Sequence, residues 1–139
     1  KAEQGGNVKV ERINPAGLAP PPGNRFAHVV RSGNHVWIAG QTARTADGVN
    51  VGVGEPRAQA DQVYANLKTA MASVGGTLAD IVKVTIFLTP GDDVLAAARA
   101  AQNECWGDNP LPASSMVIVH ALVQPDYVIE IEAEAVLAD

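Results

Sequence analysis

Glu130, Glu132 and Glu134 alternate along the C-terminal stretch of the chain. Successive side chains of an extended chain point to opposite faces, so the three carboxylates share one face at a spacing where like charges repel. Either that face is wet or partners neutralise it. A Glu130 half buried beside Glu132 would have a raised pKa, the condition for a carboxyl that both gives and takes a proton. The plainer alternative is a solvated strand face.

Other reactive residue types are sparse. His28 and His35 flank a short turn and His120 stands far along the chain without an i, i+4 partner, so the spacing points to no metal site. His120 alternates with Met116 and Ile118 and reads as a buried or interfacial histidine. Cys105 is the single cysteine, which excludes an internal disulfide and any multi-cysteine metal site. It ends an alanine-rich run beside Trp106 and reads as a packing residue, because a nucleophilic thiolate wants a cationic neighbour or a helix N-terminus. A lone cysteine suits a reducing cytoplasm.

The elements that must position these groups follow from periodicity. Residues 13–24 are rich in proline and glycine and read as an extended arm after a short strand over 8–13. Residues 26–31 and 35–39 read as two strands of a hairpin around Ser32-Gly33-Asn34. Residues 45–54 read as a loop or a weak strand pair. Val63, Leu67, Ala70, Met71 and Val74 then recur on one helical face, with Pro56 in the first turn and Gly75-Gly76 as the stop. Thr77 to Asp80 has the form of a capping box before an apolar strand over 81–88. In the second helix Thr89 is the expected cap and Pro90 the first turn, with the body over 94–106. Two strands close the chain, 115–122 and 128–136, joined by a turn around Gln124-Pro125-Asp126.

That order predicts one α/β domain with both helices on one face of the sheet. Strands that are apolar on both sides, such as Val117, Ile118 and Val119, leave a second face that a one-sided helix layer cannot cover. Self-association is the economical answer. A chain of 139 residues, 47% hydrophobic and 18% charged, can bury one real core. The formal net charge of −5 and the lack of a Lys/Arg cluster argue against nucleic acid as a main partner. No apolar run approaches the ~20 residues that span a bilayer, so no membrane association is expected. The chain begins at Lys1, which leaves room for an upstream piece, and the N-terminus lacks the pattern of a signal peptide.

Several segments together resemble the RidA/YjgF group of small reactive-intermediate deaminases. They are Ser32-Gly33-Asn34 leading to Ile38-Ala39-Gly40-Gln41, Asn66-Leu67-Lys68, the run from Asp80 to Thr89, Pro112-Ala113-Ser114-Ser115, and Ile129-Glu130-Ile131-Glu132-Ala133. Each is weak alone, but five in order at the family's spacing are specific. The resemblance implies an α/β (α+β) fold of chorismate-mutase-like type: a single domain, residues 25–139, behind an N-terminal strand and arm, residues 1–24. It implies a mixed sheet of about six strands, two long helices on one face, and a homotrimer with small-molecule clefts between subunits. The implied reaction is hydrolysis of enamines and imines to a keto acid and ammonia, without a cofactor or a metal.

The resemblance also assigns positions. Glu130 aligns with the acid that positions the attacking water, and Gly40 offers a backbone amide to a ligand. The family's carboxylate-holding arginine falls on Ser114, a pocket tyrosine on Phe26 and a pocket serine on Ala39, so the pocket has become less polar. Loss of a bidentate arginine should cost ~3–5 kcal/mol for a carboxylate substrate. Standard 2-aminoacrylate turnover is therefore expected to be weak or absent unless another cation substitutes. Arg99 aligns with a position that faces the pocket from the adjacent subunit, and a surface or interface ion pair is its alternative role. His28 lies near the pocket by alignment. The chain thus reads as a divergent RidA-like enzyme, with a non-catalytic small-molecule-binding trimer as the alternative. A ribonuclease activity, attached to some relatives, fits the acidic balance poorly.

Overall fold

The computed structural model describes residues 9–139. Six strands form one sheet: β1 (Val10–Ile13), β2 (Val29–Ser32), β3 (His35–Gln41), β4 (Ile81–Leu88), β5 (Ala113–Ile118) and β6 (Ile129–Val136). Helix α1 (Pro56–Ala72) lies between β3 and β4, and α2 (Asp92–Trp106) between β4 and β5. The strand order is β1-β2-β3-β6-β4-β5, antiparallel throughout except for the parallel pair β4 and β5. That one parallel pair is the one joined through a helix, as a crossover connection requires.

Alternation decides the layers. Val36 and Ile38 of β3, Val84, Ile86 and Leu88 of β4, and Ile129, Ile131, Ala133 and Ala135 of β6 point to one face and are buried. There they meet Ala60, Val63, Leu67, Ala70 and Met71 of α1 and Val94, Ala98, Ala101 and Trp106 of α2 in a single apolar cluster. Both helices therefore pack on one face, as the periodicity predicts. The other face carries Trp37, Thr85, Phe87, Val117 and the three glutamates, and no helix of the described residues covers it. On this face Trp37 and Val117 are each 40% exposed.

The expected boundaries hold for α1, β4 and β6 to within a few residues, and Thr77 and Asp80 form the capping box: Asp80 Oδ2 accepts from Thr77 N at 2.9 Å and Thr77 Oγ1 from Ala79 N at 3.2 Å. Elsewhere the structure corrects the reading. Val8 lies outside the described residues. Phe26 precedes β2 rather than opening it, because the chain is still turning out of the arm. Helix α2 starts at Asp92 with Gly91 as N-cap and no side-chain cap, so neither Thr89 nor Pro90 plays the expected part. Thr89 N–H is spent on the Val128 carbonyl at 3.0 Å, which holds it to the sheet, and Gly91 at φ 146° makes the bend into the helix. Asp92 and Asp93 then favour the N-terminal end of the helix dipole. Strand β5 ends at Ile118, four residues early, after which Val119 N–H makes one bond to the Leu88 carbonyl and the chain leaves the sheet. Residues 45–54 form a loop with an isolated Arg44–Asn50 bridge and a glycine turn at Gly48.

The arm is not loose. Pro15 O accepts from Leu18 N at 3.1 Å, and Leu18 and Ala19 are 3% and 8% exposed against the body of the fold. The core is tight enough for a direct test. Leu67 is fully buried between α1 and the sheet, so Leu67→Ala should lower unfolding free energy by ~2–5 kcal/mol, read as the shift of a urea unfolding curve.

Candidate functional site

A cleft of about 590 Å³ opens beside the exposed sheet face. Its floor is the end of β3, Ala39, Gly40 and Gln41, with Glu130 of the neighbouring strand β6. One wall is the arm, through Leu18, Pro20 and Pro22. The other is the turn before β6, through Val123, Gln124 and Tyr127. Phe26, His28, Arg25 and Arg44 complete it.

Glu130 reaches this cleft because of Gly40. The β3–β6 register shifts between Ile38 and Gln41, where Ala39 and Gly40 of β3 are set against Glu132 alone of β6, which is a bulge. A Cβ built on Gly40 would overlap Glu130 Oε2 and stand 2.8 Å from its Cδ. The missing side chain is thus the space in which the carboxyl lies. Glu130 is half-buried, faces Phe87 across the β4–β6 pair, and has no hydrogen-bond partner among the described residues. Burial pushes its carboxyl above the ordinary carboxylate range, and the charge of Glu132 on the same face pushes it further. The three alternating glutamates therefore have different fates: Glu132 is exposed, Glu134 is held by His35 Nε2 at 3.1 Å, and Glu130 alone is unpaired and sheltered.

His28 is tied into the frame of the cleft. Its Nε2 donates to the Ala19 carbonyl at 2.6 Å, and its Nδ1 accepts from Gln41 Nε2 at 3.2 Å. The same Gln41 amide donates to the Ala39 carbonyl at 3.0 Å, which fixes its orientation and hence the histidine tautomer. Asn14 Oδ1 takes the His28 backbone N–H at 2.9 Å. The ring so clasps the arm to β3, with Phe26 edge-on to it at 5.5 Å. The opposite wall is held by Gln59 of α1, 1% exposed, whose amide donates to the carbonyls of Gly52 and Asp126 at 3.1 and 2.7 Å and accepts from Val128 N at 3.0 Å. Asn50 joins that turn through Gln124 at 2.8 Å, Asp126 at 3.1 Å and the Tyr127 hydroxyl at 2.8 Å.

Of the residues singled out from the sequence, Glu130, Gly40, Ala39, Phe26 and His28 come together in the cleft. Ser114 and Arg99 do not line it within one chain. Ser114 pairs with Val84 on the helix side of the sheet, where Gln102 Nε2 reaches it at 3.5 Å, while Glu130 points to the opposite side. Arg99 is exposed on α2. His120 is exposed past the end of β5, so within one chain it is not buried. Burial raises the Cys105 thiol, in keeping with packing rather than nucleophilic use. The sequence reading missed the arm as a wall and missed Arg44 and Tyr127. The one local signal was Leu18, an isolated large apolar residue amid proline and glycine. Among the described residues no cluster of three metal-ligating side chains occurs, and no helix is long and apolar enough to cross a membrane.

The fold and site define a small α+β protein of chorismate-mutase-like architecture, with a sheltered carboxyl on the sheet face that the helices leave open. Residues 16–137 match the model of the family described as Endoribonuclease L-PSP, and the chain belongs to that family, with its RutC, YjgF and Rid proteins. A relative in Dermatophagoides farinae named 2-iminobutanoate/2-iminopropanoate deaminase is 32% identical over 127 residues, 91% of this chain and 97% of its own. A RutC family protein of Pyrococcus abyssi is 31% identical over 117 residues, 84% of this chain and 90% of its own. The solved YjgF gene product of E. coli superposes with a TM-score of 0.82 at 29% identity, over 91% of this chain and 98% of that one.

The Glu130 environment has a measurable sign. A folded-state pKa above the unfolded value means that folding favours the protonated form, so stability is greatest below the unfolded pKa and is lost as pH rises through the folded one. Glu130→Gln should therefore raise Tm at pH 7, with the gain vanishing below about pH 4, where both states of the wild type are protonated. Gly40→Ala should expel the carboxyl and return its pKa toward the ordinary value, seen by NMR titration of the Glu130 side-chain carbon.

Proposed function

We propose that this protein hydrolyses small imines, enamines or related carbonyl-derived metabolites, with Glu130 as general acid/base. The observation that supports this most is a sheltered carboxyl at the floor of a mostly apolar cleft, without a partner among the described residues and raised above the ordinary carboxylate range by burial. A protonated Glu130 gives its proton to the nitrogen of an imine or to the β-carbon of an enamine. The resulting carboxylate takes a proton from water as the water oxygen bonds to the imine carbon. The carbinolamine then collapses to the ketone and ammonia, consuming one water and leaving Glu130 protonated as it began. The Gly40 amide and Ser114 hydroxyl serve as polar contacts, and Phe26, Ala39 and His28 as walls.

The working assembly is a homotrimer in the cytoplasm, with a small-molecule ligand and no cofactor. Two features support self-association: the uncovered sheet face, and the placement of Ser114 and Arg99 where only a neighbouring subunit could bring them to a cleft. Ser114 stands where the family resemblance puts an arginine, so 2-aminoacrylate is a poor substrate. That same residue favours a second reading, a trimer that binds a ligand of this kind without turnover.

Imines generated in place by an amino-acid oxidase test the proposal, with keto-acid release as the readout. The protein should accelerate release, and Glu130→Gln should lower kcat/KM by roughly 10²–10⁴. Release no faster than without protein favours the binding reading. A Glu130→Gln variant as fast as wild type removes Glu130 from the chemistry.

A further inference from the structure

The bulge at Ala39-Gly40 lies where the sheet gives it little support. On one side the β2–β3 pairing ends at Val29 and Ile38, and on the other the β3–β6 register is interrupted until Gln41 meets Ile131. Ala39 is nevertheless held at both its polar groups. Its N–H donates to the His28 carbonyl at 2.9 Å, and its carbonyl accepts from the side-chain amide of Gln41 at 3.0 Å. The second bond comes from a side chain of the same strand, so β3 braces its own bulge.

Gln41 is itself held. It is 2% exposed, and the two hydrogens of its amide nitrogen go to two acceptors, the Ala39 carbonyl and His28 Nδ1 at 3.2 Å. His28, 9% exposed, presents a bare Nδ1 because its ring proton is on Nε2, where it meets the Ala19 carbonyl. A run of hydrogen bonds therefore links the arm through His28 and Gln41 to the bulge. Buried polar groups reduce stability unless they are paired, and a network with its donors spent specifies one arrangement of the backbone it touches.

That backbone borders the acid. Gly40 follows Ala39, and the Glu130 carboxyl lies in the volume that a Gly40 Cβ would fill. Rotation of the Ala39-Gly40 peptide would change that volume. We propose that Gln41 is a positioning residue for Glu130: oriented by His28, it holds the Ala39 carbonyl and so keeps Gly40 where the carboxyl can lie against it. It acts through the backbone rather than on the substrate. The role deepens the imine-hydrolysis reading and rests on it for the use made of the acid, whereas the placement of the carboxyl is a property of the fold.

Placement is read without turnover, by NMR titration of the Glu130 side-chain carbon in the full-length protein. Gln41→Met keeps the length of the side chain and removes its donors. It alters none of the charged groups around the carboxyl, Glu132 on the same face and Arg25, His28 and Arg44 in the cleft lining. The variant should bring the Glu130 midpoint down toward that of an ordinary glutamate. It should also lower kcat for imine hydrolysis by roughly tenfold or more, with KM within about twofold. Leu67→Ala, which loosens the core away from the cleft lining, should leave the midpoint where it is. His28→Gln, which keeps a donor and an acceptor, should stay closer to wild type than His28→Leu, which has neither. The wild type offers a check that needs no variant: NMR of the ring nitrogens should show His28 protonated at Nε2 and bare at Nδ1. The proposal is overturned if Nδ1 carries the proton, if Gln41→Met leaves the Glu130 midpoint unchanged, or if Leu67→Ala shifts it as far. A Gln41-dependent midpoint in a protein that hydrolyses no imine keeps the positioning role and discards the hydrolytic reading.

Discussion

The close approach of Glu130 to the backbone of Gly40 is the contact on which the site depends. Strand β6 runs through the middle of the sheet, and its period of two sends Ile129 and Ile131 into the core while Glu130 goes to the opposite face. A slip of one residue would bury the glutamates and expose the isoleucines, so the hydrophobic register of β6 also fixes where the acid stands. Reaching the face is not enough, since an ordinary β3 residue beside it would fill the space. The bulge at Ala39-Gly40 and the absent Cβ together admit the carboxyl, and burial and then the charge of Glu132 make its charged form less favourable.

Around that contact the frame is rigid where it must be and unsatisfied where it is useful. His28 clasps the arm to β3, and Gln59 clasps the turn before β6 to α1, each through a buried side chain with its polar atoms spent. At the floor of the cleft the Glu130 carboxyl has no hydrogen-bond partner among the described residues. A half-buried, unpaired carboxyl is less favourable in its charged form than one in water, and such concessions are tolerated where a ligand or a reaction offsets them.

The open sheet face sets the remaining constraint. Helices cover one side only, leaving Trp37, Phe87 and Val117 on the other among charged residues that are partly paired, as His35 is with Glu134. An apolar surface of this kind is more readily buried against a copy of itself than left in water. Ser114 and Arg99 lie on the far side of the sheet from Glu130 or on the outer surface of a helix.

Periodicity made α1, β4 and β6 legible, because an apolar stripe every three to four residues and an alternation every two leave few other solutions. Alternation likewise placed three glutamates on one face and isolated Glu130 as the candidate acid. Local chemistry was less reliable at junctions. Thr89-Pro90 looks like a helix start, yet the Thr89 amide is claimed by the Val128 carbonyl just before β6 and Gly91 makes the bend. Nothing in the one-dimensional pattern shows that a proline-rich arm forms a wall or that Gly40 yields its volume to Glu130. The sequence by itself determined which residues are apolar, with what period, and hence the layers and the face of the acid. Only the tertiary structure decided which of three equivalent glutamates is desolvated and which is paired, because burial and pairing are properties of contacts between segments distant in the chain.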